Sequence, residues 1–238
     1  MTNKWLKVAL MVTVIATGTS IKIDAETVLY VPQDDRPVSL QYTVDTAREA
    51  GMTVLTPPQH LISSKTYQGQ ADQIMAWVEQ NAGRADVMVL STDTLIYGGL
   101  VDSRKHNIPL STLQNRLKRI EGLKARNKNV RIYGFGTVMR SPRASGGGTE
   151  PAYYAEYGPT IFQIAALQDK LDSGSLTQEE TQKLMSLQAS VPVEYLQDWF
   201  DRRQKNMKIN KELIDETRSG VFDYFALGHD DTSQLSQS

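Results

Sequence analysis

The sequence predicts an α/β protein built on an open, doubly wound, mainly parallel sheet with a helical insertion. Three observations predict it. Short apolar runs rich in strand formers alternate with segments of helical periodicity, the order that builds a parallel sheet covered by helices. Those runs end abruptly in charge, as strands do when a polar site gathers at their carboxyl ends. Five such runs are too few to close an eight-stranded barrel, so an incomplete β/α barrel stands only as the alternative.

The first run, Thr27 to Val31, leads into Pro32-Gln33-Asp34-Asp35-Arg36-Pro37. A helix is expected from about Ser39 to Ala50, entered through Pro37 and closed by Gly51. The second strand, Thr53 to Thr56, stops at Pro57-Pro58, and a helix from Gln70 to Asn81 carries Ile74, Trp77 and Val78 on one face. The third strand, Asp86 to Ser91, runs into Thr92-Asp93-Thr94. Ser111…Gln114 reads as a capping box opening a helix through Leu113, Leu117, Ile120 and Leu123. The fourth strand begins near Asn129 and continues toward Arg140.

The rhythm then breaks. Arg143 to Pro159 reads as loop, with Gly146-Gly147-Gly148 ahead of Tyr153, Tyr154 and Tyr157, which either stack on sugar rings or pack on the core. Helices follow over Ile161 to Leu171 and Thr177 to Ala189, the latter opened by a Thr177…Glu180 capping box. A long polar helix runs from Val193 to Arg218, with Arg202 and Arg203 expected on its solvated face. The insertion, about 144–219, forms a helical cap beside the strand ends. A fifth strand, Phe222 to Leu227, delivers His229-Asp230-Asp231. Few residues follow it, and with no helix to cover Phe222, Tyr224 and Phe225 the chain reads as truncated at its C-terminus, an α/β domain of 26–238.

The chain has 238 residues and a formal net charge of −1, which gives no electrostatic footprint for nucleic acid. It has no cysteine, excluding disulfides, thiolate metal sites and a cysteine nucleophile. Residues 1–25 read as a signal peptide. Lys4 and Lys7 precede an apolar Val8 to Ile15 that is short of the roughly 20 residues of a membrane span, with exits after Ser20 or Ala25. A secreted or cell-envelope protein without a stable membrane span is expected.

The candidate catalytic groups are the strand-end acids Asp34, Asp35, Asp93, Asp230 and Asp231. Substrate-binding candidates are Arg36, Tyr97, Arg104, Arg140 and Arg203, because arginine suits bidentate recognition of carboxylate, phosphate or vicinal hydroxyls. The plainer alternatives are helix caps for Asp34, Asp35 and Asp93, the last also an Asx-turn residue, and ion pairs with neighbouring carboxylates for Arg104 and Arg140. His60 and His106, without partners at ligand spacing, read as surface residues. Gly98-Gly99 lacks the Gly-Lys-Ser/Thr of a phosphate loop, so a tight turn is expected and no nucleotide cofactor. There is no Gly-x-Ser-x-Gly elbow for serine hydrolysis.

Two function classes survive. One is a hydrolase of a polar, glycan-related substrate, carboxylate-based or assisted by a divalent metal on Asp34 or Asp35, Asp93 and Asp231. The other is a non-catalytic extracellular protein that binds a sugar or anionic ligand with the same residues.

Several stretches resemble the bacterial family called domain of unknown function 4127. They are Val31-Pro32-Gln33-Asp34-Asp35-Arg36-Pro37-Val38-Ser39 and Ser91-Thr92-Asp93-Thr94-Leu95-Ile96-Tyr97-Gly98-Gly99-Leu100-Val101-Asp102-Ser103-Arg104. Val138-Met139-Arg140, the Arg202-Arg203 pair with Asn206 and Asn210, and Asp230-Asp231-Thr232 extend the likeness over the mature chain. His229 stands where the family leads one to expect glutamine or arginine. The resemblance implies a longer whole protein and names no activity.

Overall fold

A computed structural model describes residues 25–144 and 147–230. The expected signal segment through Asp24, and Asp231, lie outside them.

Strands β1 (Thr27–Val31), β2 (Thr53–Leu55), β3 (Val87–Ser91), β4 (Arg131–Val138) and β5 (Tyr224–His229) form one sheet. Its order is β2-β1-β3-β4-β5, and every neighbouring pair is parallel. The open doubly wound sheet is therefore the architecture, and the barrel alternative is excluded. This order reverses direction between β1 and β3, the place where open α/β sheets leave a crevice beyond their carboxyl ends.

The α-helices are α1 (Gln41–Glu49), α2 (Ala71–Asn81), α3 (Thr92–Tyr97), α4 (Leu100–Lys105), α5 (Leu110–Arg126), α6 (Tyr154–Asp172), α7 (Gln178–Ala189) and α8 (Val193–Arg218). One sheet face, with Leu29, Val31, Met88, Leu90 and Ile132, is closed to solvent under Ile74, Leu95, Leu117, Ile120 and Ile209 of α2, α3, α5 and α8. A second core joins α6, α7 and α8 around Tyr154, Ile161, Leu184 and Trp199. The opposite sheet face is partly open, and Tyr224 at the β5 edge is 63% exposed.

Several local expectations are corrected. Helix α5 begins at Leu110 behind Pro109 rather than at a Ser111 cap, and no side chain caps it. Pro109 itself is the N-cap residue, and its carbonyl accepts from the Thr112 and Leu113 amides at 3.0 and 3.2 Å. Helix α6 begins at Tyr154, inside the expected loop, and runs through Pro159. Packing overrides the local signal. Tyr154 is fully buried, its ring 4.4 Å from Trp199, and its hydroxyl donates to the Pro142 carbonyl at 2.8 Å. Gly158 makes room for that ring, since a Cβ there would stand 2.5 Å from Tyr154 Cδ1. The Thr177…Glu180 capping box forms as expected. Phe222 precedes β5 and is only 2% exposed, a member of the main core and not an uncovered strand residue.

Candidate functional site

At the end of β1 the chain turns through Gln33-Asp34-Asp35-Arg36. Asp34 is buried, and Arg36 Nε donates to its Oδ2 at 2.9 Å while the Arg36 amide donates to its Oδ1 at 3.2 Å. A local ion pair is thus formed here. Asp35 turns away, its amide donating to the Ser63 carbonyl at 2.9 Å. Burial, and then the Asp35 carboxylate, raise the Tyr67 hydroxyl above its ordinary range.

At the end of β3, Ser91 caps α3 by accepting from the Thr94 amide at 3.3 Å. That places Asp93 in the first helical turn, aimed between β1 and β4. Its Oδ2 accepts from Gln33 Nε2 at 3.0 Å and from Thr137 Oγ1 at 2.9 Å. The residue is 2% exposed and has no ion pair among the described residues. Loss of water pushes its carboxyl up to about 6, with the nearby Asp230 charge adding to the rise against the Gln33 and Thr137 hydrogen bonds.

Beside it stands a buried ion network. Arg104, on α4, grips Asp230 with two parallel bonds, Nε to Oδ2 at 2.8 Å and Nη2 to Oδ1 at 2.7 Å. Its Nη1 lies 3.6 Å from Glu150 Oε1, which also accepts from Arg140 Nη2 at 2.7 Å. Glu150 Oε2 accepts from Thr149 Oγ1 at 2.7 Å. Glu150 is fully enclosed and was not among the expected site residues, nor were Gln33 and Thr137.

Over this network opens a cavity of about 330 Å³, lined by Asp34, Arg36, Lys65, Arg104, Arg140 and Thr149 with Ser63, Ser64, Leu100 and Val101; Asp93 and Asp230 are not part of its lining. Lys65 forms no salt bridge among the described residues. The lining is rich in cations, which suits an anionic or hydroxyl-bearing ligand.

The remaining candidates stand apart. Tyr97 is buried, stacked 4.9 Å from the His106 ring, and its hydroxyl has no hydrogen-bond partner among the described residues. Arg203 donates to the Met139 carbonyl, and burial lowers its guanidinium to about 10. No group of three or more acidic or histidine side chains placed to hold a metal occurs among the described residues, which exclude Asp231.

Two surface expectations are corrected. His106 is 4% exposed and neutral: burial holds it down to about 4, its Nδ1 accepts from the Ile108 amide and its Nε2 bonds Asn206 Oδ1 at 2.8 Å. Arg202 is 2% exposed, not solvated, and donates to the His106 carbonyl at 2.7 Å and to Asp198. With Asn206 on the Ser103 carbonyl and Asn210 on the Thr137 carbonyl, it forms one face of α8 that fastens the helix to the strand-end loops. The four-residue spacing of Arg202, Asn206 and Asn210 was the available signal, because it puts all three on one helix face.

The glycines of the Tyr-Gly-Gly motif form the expected turn. Gly98 has φ of 111°, and a Cβ on Gly69 would stand 2.0 Å from the Gly98 carbonyl oxygen. Asp102 locks this contact by accepting from the Gly69 amide at 3.0 Å, and burial pushes its carboxyl up to about 6. The loop 63–69 that walls the cavity is held there.

Fold and site together define an open doubly wound α/β protein with an arginine-rich, carboxylate-bearing crevice at its strand ends. The chain belongs to the family described as protein of unknown function (DUF4127), whose model matches residues 28–238. No curated protein and no solved structure matches the chain.

Proposed function

We propose that the protein is an exported hydrolase of an acidic, glycan-related substrate, working through its strand-end carboxyl groups. The observation that carries this reading is the contrast between two neighbouring acids. Among the described residues Asp93 has no ion-pair partner, and it holds a proton up to about pH 6, whereas Asp230 is clasped by Arg104. Acids held in such different surroundings divide into proton donor and ionised partner. In hydrolysis, Asp93 gives its proton to the departing oxygen as the bond to it breaks. Asp230 takes a proton from the attacking water, whose hydroxyl completes the other product. Arg36, Lys65 and Arg140 orient the anionic part of the substrate from the cavity wall.

A second reading is a binding protein for the same ligand class. It is favoured by the engagement of Asp34, Asp230 and Glu150 with arginines, which leaves Asp93 to do the chemistry unaided.

The experiment is a screen of acidic and neutral glycans for hydrolysis, with and without chelator, on protein expressed with its N-terminal segment. Sequencing of the product recovered outside the cell should give a start between Ser20 and Glu26; an intact Met1 on a protein retained inside would overturn export. Asp93→Asn and Asp230→Asn should each lower turnover at least about 100-fold with the fold retained by circular dichroism. Full activity in both variants removes the carboxylate mechanism. Ligand binding without turnover on any glycan selects the binding protein.

A further inference from the structure

A second cavity, about 440 Å³, adjoins the first. The two share Ser64, Lys65 and Val101 as lining, so one wall serves both. The second is bounded further by Tyr67, Lys105 and Asn107. Both volumes are of the size that takes a small ligand unit. Their linings differ in kind. The first holds arginines already fixed by carboxylates, while the second adds to the shared Lys65 a half-exposed tyrosine ring, 42% accessible, and Lys105, with Asp102 engaged by the Gly69 amide. Lys105 also donates to the Gly148 carbonyl at 2.9 Å, tying the glycine-rich loop next to Thr149 of the first cavity. The Gly69 end of the shared wall's loop is fastened by its amide's bond to Asp102 and by its close approach to Gly98.

We infer that the second cavity is a subsite for the next unit of an acidic oligosaccharide, with Lys65 bridging the two units, Lys105 meeting the charge of the second, and Tyr67 supplying a platform for its ring. This rests on the glycan reading of the first cavity and narrows it, from any acidic glycan-related substrate to a charged chain of at least two units. Ring stacking and dispersed cations suit a repeating polyanion, since each unit brings both a flat apolar face and a charge.

The test is calorimetric titration of galacturonic acid, its trimer and its hexamer, with maltohexaose as the neutral control. The trimer should bind at least tenfold more tightly than the monomer, and maltohexaose more weakly than the hexamer. Tyr67→Ala and Lys105→Ala, both at exposed positions and expected to fold, should bring the hexamer down to the affinity of the monomer. Equal affinity at all lengths, unchanged hexamer binding in both variants, or no binding of any uronate would overturn the subsite. Length-dependent binding without hydrolysis keeps the subsite and sinks only the hydrolase. Hydrolysis that ignores chain length does the reverse.

Discussion

The two sides of the strand-end crevice use the same kind of side chain in opposite ways. On the α4 side, the Asp230 and Glu150 side chains are 6% and 0% exposed but lie against Arg104 and Arg140 at 2.7 Å. On the β1–β3 side, Asp93 is equally buried and lies against neutral donors, Gln33 and Thr137. A carboxylate taken out of water needs either a counter-charge or a proton. The first side supplies the counter-charge, and the second raises the carboxyl to about 6 so that the proton serves. Proximity to a strand end therefore does not decide what an acid can do. The donors that the neighbouring loops bring to it decide.

The largest effect should come from removing the counter-charge. Arg104→Met takes both bonds from Asp230 and one neighbour from Glu150, leaving the enclosed Asp230 side chain without a hydrogen-bonded cation among the described residues. Breaking a buried pair in this way costs about 3–5 kcal/mol. Arg140→Met should cost less, because its side chain is 21% exposed and Glu150 keeps Arg104 at 3.6 Å. Urea unfolding of both variants measures the difference. A loss below about 1 kcal/mol for Arg104→Met would show that the two sides are not distinct in energy.

The neutral side gives a pH signature. The Asp93 carboxyl is raised from 3.8 to about 6 by folding, so the folded state binds the proton more tightly than the unfolded chain. Its contribution is fully present below about pH 4 and is lost as pH rises through 6, about 3 kcal/mol in all. Asp102, also raised to about 6, acts in the same direction. His106 acts in the opposite one, because a group lowered to about 4 from 6.5 makes stability rise over that interval. Comparison with Asp93→Asn isolates one group from this mixture. Relative to the parent, the variant should gain about 2 kcal/mol in unfolding free energy between pH 4 and pH 7. A constant difference across that range would mean that Asp93 is ionised in the fold and the contrast with Asp230 is false.

Legibility in the sequence followed the range of the forces involved. The strands and their charged ends were readable because alternation and the charged terminations are local, and β1, β3 and α8 lie where the pattern puts them; the order of the strands in the sheet was not, because it is set by contacts between distant segments. The arginine-bearing helix α4 and the short α3 were not expected, since six-residue helices carry too little periodicity to be seen. Glu150 was hidden because its significance comes from Arg104 and Arg140, 46 and 10 positions earlier in the sequence. Arg202 read as solvated because the carbonyls that bury it, such as that of His106, belong to a loop 96 residues away. The same distance in sequence concealed His106, whose partner Asn206 lies 100 residues on. Asp34 and Arg36 were both read as site residues, and their two-residue spacing did not reveal that they pair or which of them faces solvent.

That last pair gives the smallest expected effect and the finest test of the comparison. Arg36 is the outward member, its side chain 56% exposed, while the Asp34 side chain is 9% exposed. The pair lies at the rim of the first cavity, where water screens it, so its contribution to folding should be below about 1 kcal/mol. Arg36→Gln retains a polar side chain but removes the charge from the cavity lining. It should hardly move the urea midpoint, while weakening galacturonate binding several-fold in the same calorimetric assay. Arg104→Met should do the reverse in proportion, with a large loss of stability. If Arg36→Gln instead destabilises the protein as much as Arg104→Met, the rim belongs to the buried network and Arg36 is structural, not a ligand contact.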